Sequence, residues 1–302
     1  RVDTQAGALT VGGELMLLVD RVRAAGRWSR ERAARRPRLE RGAALRLCAA
    51  RHPLLEEALA TADRGDALVP LDLELPAETR VLVLSAPNAG GKSVPMKTVG
   101  VLVLLAQCGW DVPAREDTRL PLVRRLFIDL GAEQSIEDSL SSFSAHLGHL
   151  KRFLDEADHD SLLLCDEIGS GTDPQEGTAL ALTALARLAE RGAVVLASTH
   201  FGLLKAAVHD HPAMLNAAMD YDEESLAPLF SLRLGDPGAS HAFDIAARVG
   251  LDAELLGRAR ALVGEERYQL EQLLRDLARR SGELVRSEEA ARQHEAALEG
   301  QR

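Results

Sequence analysis

The sequence predicts an α/β fold built on a mostly parallel sheet with an antiparallel edge and followed by a C-terminal helical arm. Short apolar runs alternate with helical patterns: VLVL at 81–84, RLFIDL at 125–130, LLLCDE at 162–167 and AVVLAST at 193–199. Runs of this length, bounded by turns, are how strands buried on both faces of a parallel sheet read. Two later pieces, NAAMDYD (216–222) and LFSLRLG (229–235), flank an acidic turn and read as a hairpin at the sheet edge. A glycine-rich loop, SAPNAGGKSV (85–94), follows the first run directly and leads into a helical pattern.

Taken in order, residues 14–36 read as a helix stopped by Pro37, and 1–46 as an arginine-rich connector from a missing N-terminal region. That stretch holds eleven arginines against five acids, six of the arginines lying between Arg27 and Arg38. Such a run is either a solvated helix face or a surface for phosphates. The alternating strands and helices occupy 47–264, and helices at 241–249 and 252–263 end at Gly250 and Gly264. From Glu265 onward Leu270, Leu273, Leu274, Leu277, Leu284 and Val285 recur at helical spacing. This predicts an amphipathic, coiled-coil arm over 265–302.

Composition sets the outer limits. The 302 residues are 46% hydrophobic, enough for a substantial core, and the net charge of −10 argues against a generally nucleic-acid-binding surface. No run of eighteen apolar residues occurs, so no membrane span is expected. Cys48, Cys108 and Cys165 lie in apolar contexts without C-x-x-C spacing. They read as buried free thiols of a reducing, cytoplasmic compartment, not as metal ligands. The chain opens at Arg1 without a leader pattern, as expected of a piece of a longer protein.

The loop at 85–94 follows G-x-x-x-x-G-K-[ST] except that Ala86 stands at the first glycine. Ala86, Pro87, Asn88, Ala89, Gly90 and Gly91 would bring backbone N–H groups and a helix start onto phosphate oxygens. Lys92 would neutralise β/γ-phosphate charge, and the Ser93 hydroxyl would ligate Mg²⁺. Only four lysines occur in the chain, so one inside a glycine loop stands out from an arginine background.

The run SLLLCDEIGSGTDPQEG (161–177) ends a strand in two acids, whose alternating side chains point to different faces. Asp166 would then hold Mg²⁺ while Glu167 acts as general base toward water. An acid pair at a strand end can also simply cap the next turn. The segment Gly169–Gly171 with Asp173 and Pro174 reads as a loop crossing a partner's surface, not as a cap. His200, at the end of the following strand, lies where parallel α/β sheets bind ligands, and is read as a γ-phosphate or water contact. In SIEDSLSSFSAHLGHLKRFLDEA (135–157), Leu140, Phe143, Leu147, Leu150 and Leu154 form a core stripe. The serines at its start, Ser139, Ser141 and Ser142, make an anion-receptive helix N-terminus.

The order of these pieces is similar to that of ABC-type P-loop ATPases. PNAGGKS, DEIGSGTD and STHF together resemble the ATPase domain of the MutS family over about residues 47–264. ARHPLL (50–55), GTDPQEG, THFGLLK and the GDPGASHAFDIAARVGL run resemble its second bacterial paralogue branch. The resemblance implies that Pro87 to Ser93 cradle ATP, Asp166 and Ser93 serve Mg²⁺, Glu167 activates water and His200 senses the γ-phosphate. It implies a homodimer in which Ser141 reaches the opposite subunit's nucleotide. It further implies a full-length protein that acts on branched DNA or on collided ribosomes through ribosomal RNA, with a nuclease module of Smr type beyond the arm. Ala86, Leu68 and Ala218 depart from the wider family at nucleotide-facing positions. A nucleotide switch without hydrolysis, and an ABC ATPase of a transporter or chromosome-maintenance complex, are the other classes. The DE pair with His200 speaks against the first, and the lack of L-S-G-G-Q against the second.

Overall fold

The computed structural model describes residues 2–42, 45–85, 91–131, 139–222, 227–238 and 242–262, together with 276, 279 and 280. In chain order the elements are α1 (Val2–Glu31), β1 (Arg38–Glu40), β2 (Arg46–Ala50), α2 (Pro53–Thr61), β3 (Leu71–Glu74), β4 (Val81–Ser85), α3 (Ser93–Gln107), β5 (Arg119–Pro121), β6 (Arg125–Asp129), α4 (Ser139–Glu156), β7 (Ser161–Cys165), α5 (Pro174–Glu190), β8 (Val194–Ser198), α6 (Gly202–His209), β9 (Met214–Tyr221), β10 (Pro228–Leu234), α7 (Ala242–Arg248) and α8 (Ala253–Leu262). Two compact units result, Arg1–Glu74 with Thr98–Leu122 and Leu75–Lys97 with Val123–Arg302, the division falling inside α3.

In the first unit, α1 begins earlier and ends sooner than its periodicity predicts. Its end is fixed by tertiary contacts. The Trp28 indole N–H donates to the Asp111 carbonyl at 3.1 Å, and the Ser29 hydroxyl to the Asp111 carboxylate at 2.7 Å. Ala33 then turns the chain at φ 45°, so Pro37 leads into a strand and does not stop a helix. A four-stranded sheet follows in the order β1-β5-β2-β3, with β1 and β5 parallel and β2 antiparallel to both neighbours. Its buried residues include Leu47, Ala50, Leu71, Leu73 and Leu120. The apolar-run criterion misses this sheet because its strands are three to five residues long and β3 alternates buried leucines with exposed acids. Arg27, Arg32, Arg35 and Arg36 each lie within ion-pair distance of a carboxylate, so much of the basic run is neutralised within the chain.

The second unit carries the six-stranded sheet, in the order β10-β9-β4-β8-β7-β6. All neighbours run parallel except β10, which turns back antiparallel on β9 at one edge, as the hairpin reading expects. Every residue of β4, β7 and β8 is buried, matching their unbroken apolar text. Val83, Leu163, Leu185, Val195 and Leu204 belong to one core cluster between sheet and helices. On α4 the expected stripe is displaced by its tertiary partners: Phe153 is buried against the core, Leu150 and Leu154 are half-covered, and Leu147 is exposed. The side chains of Leu140 and Phe143 lie outside the described residues, as do Gly264 and nearly all of the predicted arm. The cysteine reading needs one correction, because Cys165 alone is buried and Cys108, just past the end of α3, is exposed. Among the described residues no helix is long and apolar enough to cross a membrane.

Candidate active site

Parallel pairing brings the carboxyl ends of β4, β7 and β8 side by side, the position where such sheets gather ligands. Asp166 and Glu167 stand just beyond the last residue of β7. The Ser93 hydroxyl, at the start of α3, donates to Asp166 Oδ2 at 2.7 Å. On its other oxygen Asp166 accepts from the Ser198 hydroxyl. The Ser198 oxygen in turn accepts the backbone N–H of Glu167 at 2.8 Å, so one serine at the tip of β8 orients both acids. Lys92 Nζ lies 3.8 Å from Glu167 Oε1, its side chain only 10% exposed against 53% for the glutamate. Glu167 adopts φ 49°, in the left-handed region that side chains with a Cβ rarely take.

The turn after Glu167 is closed by glycine. Gly169 has φ 84°, and a Cβ there would fall 2.6 Å from the Gly177 carbonyl oxygen. A Cβ on Gly177 would fall 2.2 Å from the Gly169 oxygen. The start of α5 therefore crosses the turn at backbone contact, which only glycine at both positions allows. Asp173 corrects a sequence expectation: it is the N-cap of α5, accepting from Gln175 N at 2.9 Å and Glu176 N at 3.2 Å, with Pro174 in the first helical turn.

A second turn, 235–238, packs on the tip of β4. The Ser85 hydroxyl donates to the Pro237 carbonyl at 2.9 Å, and the buried Lys205 donates to the Gly238 carbonyl at 3.2 Å. His200 is exposed at the end of β8 with its ring 4.4 Å from that of Phe201. Partial desolvation lowers its pKa, Lys92 and Lys205 push the same way, and Glu167 opposes them.

The structure thus brings Lys92, Ser93, Asp166, Glu167 and His200 to one end of one sheet. Gly91 takes φ 78°, a left-handed backbone that glycine adopts without strain, and Pro95 falls in the first turn of α3. Ala86, Pro87, Asn88, Ala89 and Gly90 lie outside the described residues. Ser141 falls in the first turn of α4, and its side chain is likewise outside them. Sequence reasoning missed Ser198, although it stands two residues before His200 in the quoted motif.

The family model described as MutS domain V matches residues 82–266, the span that contains all of these groups. The chain belongs to the MutS family. Endonuclease MutS2 of Geobacillus kaustophilus is 40% identical over 286 residues, covering 95% of this chain and 35% of the relative. Endonuclease MutS2 of Pelotomaculum thermopropionicum is 42% identical over 276 residues, 91% of this chain and 34% of the relative. For Endonuclease MutS2 of Thermotoga maritima the figures are 42% over 233 residues, 77% and 30%. These similarities put the chain in the MutS2 branch. The chain spans about a third of the length of the curated relatives it matches.

Within this MutS domain V the arrangement supplies three chemical functions at one sheet end. Lys92 offers a cation able to hold an anion, Ser93 and Asp166 a pair of hard oxygens, and Glu167 a half-exposed carboxylate 3.8 Å from that lysine, a group able to accept a proton.

Proposed function

We propose that residues 47–264 bind and hydrolyse ATP with Mg²⁺ and work as a homodimer, flanked by a connector over 1–46 and a helical arm over 265–302. The observation that carries this reading is the 2.7 Å contact between the phosphate-loop hydroxyl of Ser93 and Asp166 from a separate strand. Two oxygens at that separation suit neighbouring positions in an octahedral shell with bonds of about 2.0–2.1 Å. Ser93 and Asp166 would hold the ion, which supplies charge neutralisation at the phosphate oxygens. Pro87 to Gly91 would wrap the phosphates, and Lys92 would hold the β/γ oxygens. Glu167 would draw the proton from water, and His200, kept neutral at pH 7 by its lowered pKa, would contact the γ-phosphate. Ser141 would complete the opposite subunit's site.

For the whole protein we propose a cytoplasmic role on branched DNA, on ribosomal RNA of collided ribosomes, or on both, driven by this module. The relatives are named endonucleases; cutting would belong to a part of those longer proteins outside the stretch shared with this chain.

The test separates the two acids. Glu167→Gln should lower kcat by about 10²–10⁴ while ATP still binds. Asp166→Asn should weaken nucleotide binding and Mg²⁺ dependence together. Equal turnover in Glu167→Gln and the parent at saturating Mg·ATP would end the assignment.

A further inference from the structure

Asp129 ends β6, the strand at the far edge of the six-stranded sheet, and the ATP chemistry above assigns it no part. Its side chain is only 13% exposed, and a separate imidazole faces each oxygen. His146 Nδ1 lies 2.8 Å from Oδ2, and His149 Nδ1 lies 3.2 Å from Oδ1. A carboxylate only accepts, so His146 turns an N–H at Nδ1 toward it in a hydrogen bond, while His149 stands at ion-pair distance beside it. The three-residue spacing on α4 is what presents both rings to one group. The backbone of the same residue holds the active end of the neighbouring strand: the Asp129 carbonyl accepts from Asp166 N at 2.7 Å.

We propose that Asp129, His146 and His149 form a positioning clasp that ties the serine-rich start of α4 to the tip of β7, so that nucleotide held by Ser93 and Asp166 sets the attitude of α4. This rests on the ATPase reading. The path is continuous, from Ser93 Oγ to Asp166, from Asp166 N to the Asp129 carbonyl, and from the Asp129 carboxylate to His146 on the second turn of α4. Asp129 and His146 line the same pocket as Asp166 and Glu167, among the apolar side chains of Leu150, Phe153 and Ala181. Low polarity there strengthens each link.

The cohesion of α4 with the sheet comes from elsewhere. Phe127, two residues before Asp129 and therefore on the same face of β6, packs its ring 5.2 Å from Phe153 of α4. Burying a carboxylate beside two imidazoles adds little stability over an apolar filling of the same volume, whereas it fixes direction. A metal centre is not the better reading, because among the described residues no group of three or more His, Cys, Asp or Glu could hold an ion.

The test uses the 302-residue chain and reads hydrogen exchange over residues 139–150 with and without a non-hydrolysable Mg·ATP analogue, alongside kcat, KM and nucleotide affinity. In the parent, the analogue should slow exchange at the start of α4. Asp129→Asn and His146→Leu should bind nucleotide within about threefold of the parent, lose that protection, and drop kcat about tenfold or more with little change in KM. His146→Gln, which keeps a donor toward Asp129, should restore turnover to within about threefold of the parent. A merely structural role would lower the melting temperature of all three variants and leave the nucleotide-dependent protection in place, and that result overturns the clasp. So does a parent that binds the analogue with no change in α4 exchange, although the ATPase reading then stands. A parent that binds no nucleotide removes both.

Discussion

His200 stands between opposing charges, with Lys92 and Lys205 disfavouring its protonation and Glu167 favouring it, while desolvation decides the balance downward. Its neutral form is therefore the one the fold prefers. The contribution it makes is complete above the ordinary value of 6.5 and is lost as pH falls through the lower folded-state value, because the unfolded chain binds the proton first. A proton NMR titration of the ring, assigned by its disappearance in His200→Asn, should give a midpoint below 6.5; one at or above 6.5 contradicts the description. Residues of this kind were legible in the sequence because phosphate chemistry demands a lysine, a hydroxyl and acids at fixed local spacing. Ser198 was not. Its role depends on β8 lying beside β7 with Ala197 paired to Cys165, a register no local pattern encodes. Asp129 escaped notice for the same reason, since His146 lies seventeen positions further along the chain.

Between elements, α5 crosses the turn 167–171 at backbone contact, where two glycines meet. Gly169→Ala imposes a Cβ on a left-handed backbone and drives it against the Gly177 carbonyl, so it should cost about 2 kcal/mol or more in urea unfolding. Gly257 offers the contrast. It is exposed inside α8 with nothing within 4 Å of an added Cβ, and Gly257→Ala should stabilise by about 0.5–1 kcal/mol. Similar losses at both positions would mean that the crossing is looser than described. The sequence placed the long strands and helices well because their apolar periods are continuous. It misread Asp173, whose capping role follows from where α5 begins, and it shifted the buried stripe of α4 because an edge strand covers only part of that helix.

For the whole molecule, a mostly parallel sheet with an antiparallel edge was legible in the alternating strand and helix text, but its order β10-β9-β4-β8-β7-β6 was not, and the sheet β1-β5-β2-β3 joins strands as far apart as Arg38 and Arg119. Pairing across that distance leaves no trace in a window of a dozen residues. The proposed dimer has its own test. A chain with Ser141 replaced by arginine and a chain with Lys92→Ala should each be inactive, yet mixing them creates one intact composite site per mixed dimer. Recovered turnover of about a quarter of the parent's specific activity is expected, since random pairing makes about half of the dimers mixed and each of these holds one working site of two. No recovery, with mixed dimers demonstrated by mass, would mean that each subunit acts alone.

The left-handed backbone of Glu167 puts two selective pressures on a single codon. A residue with a Cβ gives up about 1–2 kcal/mol in that conformation, and glycine does not. Glu167→Gly should therefore melt higher than Glu167→Ala although both lack the carboxylate, and the reverse order would deny the strain. If Glu167 is the general base proposed above, drift toward stability at this position leads away from catalysis, and glutamate persists only while proton transfer is under selection. In a descendant that keeps the fold and abandons hydrolysis, glycine is the residue expected to take its place.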